Sequence, residues 1–185
     1  MLYDKDIREP LFDFLEEAYG KLRIIEEKQV GKSRADIVMV LPGLLTGIEI
    51  KSDADSYVRL SRQVKDYDRF FDRNMVVAGS SHAAHVREHV PGWWGIITVE
   101  QNDREIDFYV LRQPQENPMM NWKRKLSLLW RPELAHIQEL TAMPRYKEKS
   151  KAFVIEKILA KVPGEQLSVL VSEELFERDY TRIEE

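Results

Sequence analysis

The chain has 185 residues, with 43% hydrophobic and 32% charged residues, the composition of one globular domain with a modest extension rather than a disordered tail. It contains no cysteine, which excludes a disulfide framework and thiolate metal sites, so any bound cation must use carboxylate, imidazole or backbone oxygen. A formal net charge of -4 argues against a protein that coats nucleic acid, although residues 123 to 161 hold 10 Lys or Arg against 4 Asp or Glu.

No apolar run approaches the roughly 20 residues needed to cross a bilayer. The N-terminus lacks the order of a secretory signal, so a cytoplasmic location is expected. Ile7, Leu11, Phe14, Leu15 and Ala18 recur at helical spacing, predicting a helix from Asp4 to Tyr19 that stops at Gly20. Three strands are then expected at 22–26, 35–40 and 44–50, the last two as a hairpin about Leu41-Pro-Gly. Leu60, Val64, Tyr67 and Phe71 mark a helix over 58–71, and Met75-Val-Val-Ala a short apolar strand. A helix over 83–89 leads to a strand over 95–99, and 106–111 reads as an edge strand. The segment 113–118, rich in Pro and polar residues, reads as a linker, and beyond it only helical patterns appear, at 122–140, 153–160 and 167–176.

This order describes an α/β core, a central mixed sheet flanked by helices, over residues 1–112. A linker over 113–122 and a small all-helical C-terminal region over 123–185, packed on the core, complete the chain. Trp130 and Leu134 are expected to dock that region, and Trp93 and Trp94 to enter the core.

The chemistry is concentrated at Asp36, Glu49 and Lys51. Strand alternation sends Glu49 and Lys51 to one face and Ile48 and Ile50 to the other. A hairpin with the preceding strand brings the Asp36 carboxylate near that of Glu49. Two carboxylates and an amine converging on an apolar sheet are costly unless a cation satisfies them. Magnesium prefers oxygen ligands and keeps several waters, so Asp36, Glu49 and a backbone carbonyl such as that of Ile50 would suit Mg²⁺ or Mn²⁺. Such a site suits phosphodiester hydrolysis, with Lys51 acting on water or phosphate.

Arg34-Ala-Asp36 followed by Glu49-Ile-Lys51-Ser52 resembles the motif of the PD-(D/E)xK nucleases, with Arg-Ala where the family name gives Pro. Gln63-Val-Lys-Asp-Tyr67 on the next helix is similar to the Gln-x-x-x-Tyr signature of the RecB-like branch. A longer pattern, including Trp93-Trp-Gly and Leu128-Leu-Trp-Arg-Pro-Glu-Leu, is similar to a group of bacterial and phage proteins in that superfamily. The resemblance implies a restriction-endonuclease-like fold and a Mg²⁺- or Mn²⁺-dependent DNA nuclease acting in repair, recombination or phage and mobile-element biology. It also implies that Gln63 and Tyr67 support the site and contact DNA. Tyr67, lying in the apolar stripe of its helix, reads equally as core.

Some relatives place a further metal-associated acid in the leading elements, and Glu9, Glu16 and Glu26 are the candidates, each also readable as a solvated charge. Arg34, Ser52 and Lys123-Arg124-Lys125 are candidate DNA contacts, as is the basic run from Arg145 to Lys151, though charge runs are commonly just solvated. A second subunit or partner protein could supply further DNA affinity. Two other readings compete: a non-catalytic nucleic-acid-binding or assembly module on the same fold, and a zinc site formed by His82, His85 and His89 on one helical face. The second is disfavoured by the absence of a His-Glu-x-x-His pattern and by nearby Arg87.

Overall fold

The computed structural model describes residues 2–103 and 105–180. Helix α1, Asp4–Tyr19, carries acids in its first turn and buries Ile7, Leu11 and Leu15 at four-residue spacing; Gly20, at φ 73°, ends it. Each of these three side chains, wholly inaccessible, contributes about 1.5–3 kcal/mol through burial. Strands β1, Arg23–Val30, and β2, Ser33–Leu41, are joined by the two-residue turn Gly31-Lys32. Strand β3, Leu44–Lys51, follows β2 through Pro42-Gly43, and the positive φ of Gly43 is what a turn with Pro before Gly requires.

After a single 3-10 turn at Tyr57–Arg59, helix α2, Leu60–Phe70, crosses to β4, Arg73–Gly79. Strands β5, Gly95–Asn102, and β6, Glu105–Arg112, complete a six-stranded mixed sheet of order β1-β2-β3-β4-β5-β6. Pairing is parallel for β3-β4 and β4-β5 and antiparallel elsewhere. The central strand β4 is buried along nearly all its length, as a parallel strand covered on both faces should be.

Two apolar clusters lie on opposite faces of the sheet. One joins Ile37, Met39, Ile48, Ile50, Met75 and Val77 to α1. The other joins Val38, Val40, Leu45, Val76 and Ala78 to α2 and to helices α3, Trp122–Ser127, α4, Arg131–Leu140, α5, Lys151–Lys161, and α6, Gly164–Phe176. The segment between β6 and α3 is fixed in place: Asn117, buried, donates to the carbonyls of Asp68 and Phe71 at 2.7 and 2.8 Å.

Two expected helices differ. The pattern over 122–140 is two helices, broken at Leu128-Leu-Trp130, because Pro132 at the start of α4 has no N–H to give the Leu128 carbonyl. Arg178 supplies that hydrogen bond instead, at 2.9 Å. The pattern over 83–89 contains one 3-10 turn, Val86–Glu88, and no α-helix. Leu134 enters the core cluster, whereas Trp130 packs on the Arg178 guanidinium and edge-on to Tyr180. Trp94 is fully buried, and its indole and that of Trp93 both donate to Asp68.

Candidate active site

The β2-β3 pairing runs to Ile37↔Ile48, so Asp36 of β2 and Glu49 of β3 stand just past its end. On β1 the facing residue is Glu27, which takes a positive φ of 54°, and the alternation of β2 slips here: Ala35 and Val38 both join the α2-side cluster. The Asp36 N–H turns to the Tyr67 hydroxyl, 3.1 Å away, and its Oδ2 accepts the Ile50 N–H at 2.8 Å. The slip therefore leaves the carboxylate beside β3, where Asp36 lines an open cavity of about 340 Å³.

Glu49 and Lys51, with side chains 2% and 3% exposed, share the face toward α2, as alternation requires. Lys51 Nζ lies 2.8 Å from Glu49 Oε1 and donates to Gln63 Oε1 at 3.1 Å. Gln63 Nε2 also donates to Glu49 Oε1, and the Tyr67 hydroxyl to Glu49 Oε2. Positions 63 and 67 lie one helical turn apart, so one face of α2 delivers both groups to the same carboxylate. Tyr67 is at once a buried core ring and a ligand of Glu49; burial, and after it the Glu49 charge, hold its hydroxyl protonated well above the ordinary range.

Burial, then the charge of Glu49, push the Asp36 carboxyl up to about 8, against the pull of the Ile50 N–H and Arg8. A half-buried carboxylate close to a buried one cannot ionise cheaply beside it. A divalent cation would meet that demand, and Asp36, Glu49 and the Ile50 carbonyl could offer it an all-oxygen donor set of the kind magnesium and manganese take. Among the described residues there is no group of three or more His, Cys, Asp or Glu able to hold a metal; the candidate centre is a carboxylate pair completed by a carbonyl.

Several side chains stand elsewhere than expected. Glu9 and Glu16 are exposed on α1 and do not line the cavity, and Glu26 is engaged by Arg8 at 3.0 Å. The acids that do reach the cavity besides the central pair are Asp4, Glu27 and Asp55. Asp4 lay hidden in the sequence as an ordinary first-turn helix acid. Its spacing of four from Arg8, also at the cavity, was the available signal.

Arg34 lines the cavity and pairs with Glu27 at 2.7 Å; Lys32, Arg59 and Arg62 line it too. Ser52 is buried, with both its N–H and hydroxyl held by Asp55. Lys123 pairs with Glu156, and neither it nor Arg124 lines the cavity. Lys125 is a correction: its wholly buried ammonium is bound to Asp72 at 2.7 Å, so it is structural and not a DNA contact. The histidines form no helical face. His82 packs edge-on and His89 stacks on Tyr57, and His85 sits beside Glu88.

A model of the family described as Bacteriophage P4 protein cII matches residues 1–182. The chain belongs to that family. Within the cII family, the protein cII of Enterobacteria phage P4 is 28% identical over 101 residues, 55% of this chain. The chain spans 38% of the length of that cII relative. Among solved structures, SfsA of Pyrococcus furiosus in complex with Ca²⁺ is similar at 16% identity over 60% of this chain and 62% of that one, with a TM-score of 0.37, too loose a superposition to fix a fold. No helix among the described residues is long and apolar enough to cross a membrane.

Proposed function

We propose that this protein is a Mg²⁺- or Mn²⁺-dependent DNA nuclease with PD-(D/E)xK chemistry, serving phage or mobile-element biology. The observation that carries the reading is the carboxylate pair: Asp36, held by the Ile50 N–H, near Glu49, with the Lys51 ammonium 2.8 Å from Glu49. Asp36, Glu49 and the Ile50 carbonyl would hold the ion. Bound there, the ion would polarise a phosphate oxygen and make an attached water a nucleophile near neutral pH.

The chain's own residues supply the remainder. Gln63 and Tyr67 fix the Glu49 carboxylate, and the ammonium of Lys51, with two of its three donors engaged by Glu49 and Gln63, has one left for water or a phosphate oxygen. The basic rim of Lys32, Arg34, Arg59 and Arg62 suits a polyanionic backbone despite the acidic total charge.

One observation favours a second reading, a non-catalytic nucleic-acid-binding module. Glu49 already receives hydrogen bonds from Lys51, Gln63 and Tyr67, so its charge is substantially satisfied without a cation. The two readings part in one experiment. Purified protein is incubated with single-stranded, duplex, nicked and branched DNA and Mn²⁺, beside Glu49→Ala, and Mn²⁺ binding is titrated by calorimetry. The nuclease reading expects cleavage of at least one substrate, and a loss in Glu49→Ala exceeding the ~10–100-fold typical of removing an outer-shell partner, together with lost Mn²⁺ affinity. DNA bound but never cut, with equal Mn²⁺ binding by both proteins, establishes the module instead.

A further inference from the structure

Helix α2 sorts its charges by sign. Its two acids, Asp66 and Asp68, are turned inward and buried, Asp66 accepting from Ser33 and Asp68 from Asn74, Trp93 and Trp94. Its cations stay outside: Arg62, Lys65 and Arg69 are exposed, as is Arg59 in the turn before the helix. Spacings of three and four put Arg62, Lys65 and Arg69 on one side, while Leu60, Val64 and Tyr67 occupy the buried side. Among the described residues none of these four cations has an ion pair or a side-chain hydrogen bond.

The stripe does not serve the helix. Like charges one turn apart repel and weaken it, and Arg62, in a first turn that holds no acid, opposes the positive end of the helix dipole. Only Arg69, in the last turn, is favoured by that dipole. Positive charge concentrated on one face of a chain of net charge -4 fits an anionic partner.

Its position says which. Arg59 and Arg62 line the cavity with Asp36, Glu49 and Lys51, whereas Lys65 and Arg69 lie beyond it, so the stripe runs outward from the candidate site without a change of sign. From Arg62 to Arg69 the helix rises about 10 Å, the axial run of about three phosphates along one strand of a duplex. At the far end the Asn121 N–H donates to the Arg69 carbonyl at 3.0 Å, and α3 starts there with exposed Arg124 in its first turn.

We propose that the outer face of α2 is a track for a DNA backbone, with Arg62, Lys65 and Arg69 each contacting one phosphate of the strand that enters the cavity. Lys65 and Arg69 set affinity for the flank of that strand and take no part in chemistry at the reacting phosphate. That the strand leads to a scissile phosphate rests on the nuclease reading above; the track itself does not.

The test measures binding and not cleavage, by fluorescence anisotropy of a labelled single strand and of its duplex in EDTA over a series of salt concentrations. Lys65→Gln/Arg69→Gln is expected to bind both about tenfold more weakly, and the plot of log K against log salt to become shallower by about one per lost phosphate contact. Lys65→Arg/Arg69→Lys, which keeps both charges, binds as wild type. So does Lys21→Gln/Lys161→Gln, an equal charge change on exposed residues outside the stripe. Circular dichroism verifies folding. Wild-type affinity and slope in Lys65→Gln/Arg69→Gln, or an equal loss in the Lys21 and Lys161 control, overturns the proposal and leaves the face to an acidic protein partner or to solvent; a wild type that binds neither DNA overturns it as well. Neither Lys65 nor Arg69 lines the cavity, so unchanged binding in their variant leaves the nuclease reading standing. A weakened variant beside a wild type that cuts no DNA retires the nuclease reading and keeps the track.

Discussion

Asp36 is where the charge balance of the molecule is most exposed to test. Its carboxyl, raised from 3.8 to about 8 by burial and then by Glu49, binds a proton more tightly in the folded chain than in the unfolded one. The stability this lends the metal-free protein is fully present below about pH 4 and is lost as pH rises through about 8. A cation must displace the same proton, so Mn²⁺ affinity is expected to rise by up to about tenfold per pH unit and to level off above about pH 8. Calorimetry at several pH values, with Asp36→Asn as control, checks both signs: the variant loses Mn²⁺ binding yet gains metal-free stability at pH 7 to 8. An affinity independent of pH would remove Asp36 from the ligand set.

At the scale of elements, β3 shows how one strand serves two clusters. Ile48 and Ile50 pack toward α1, while Leu45, Gly47, Glu49 and Lys51 face α2. Gly47 is fixed by the ring of Phe71, for a Cβ there would lie 2.3 Å from Phe71 Cδ2 and 2.9 Å from Asn74 Oδ1. Phe71 and Asn74 are both wholly buried and cannot swing aside. Gly47→Ala is therefore expected to cost ~1–3 kcal/mol, read as a lower urea midpoint at unchanged slope. The β1-β2 hairpin is likewise tied to α2, since Ser33 donates to the buried Asp66 at 2.7 Å, and Gly31 is pressed against the same carboxylate. That tie brings the rim residues Lys32 and Arg34 alongside α2.

Across the whole molecule, the C-terminal helices share one buried cluster with the α2 face of the sheet, and Lys125 is one polar link to it, beside the Ser172 hydroxyl that accepts the Gly43 N–H. Its ammonium is inaccessible, gripped by both oxygens of Asp72, which also accepts the Leu45 N–H. Lys125→Met leaves Asp72 with one partner where it had two, and a broken buried pair typically costs ~3–5 kcal/mol. The expected result in thermal or urea unfolding is a large loss near the lower end of that range, within a single transition because the core is continuous. A variant as stable as wild type would show that the pair does not secure the helices.

The sequence by itself determined what period and alternation encode. The six strands and the helices α1 and α2 stand near their expected positions, because a buried face repeats every two or about 3.6 residues whatever it packs against. The placing of Glu49 with Lys51, and of Gln63 with Tyr67, follows from the same local geometry. Tertiary structure alone decided which partners those faces meet. Asp4 reaches the cavity in place of Glu9 or Glu16, Arg8 sits among four acids, and Lys125 is drawn inward by an Asp 53 residues away. Such pairings depend on strand register, on the slip at Asp36 and on the crossing of α1 over the sheet, which bring distant segments together and leave no repeating trace along the chain.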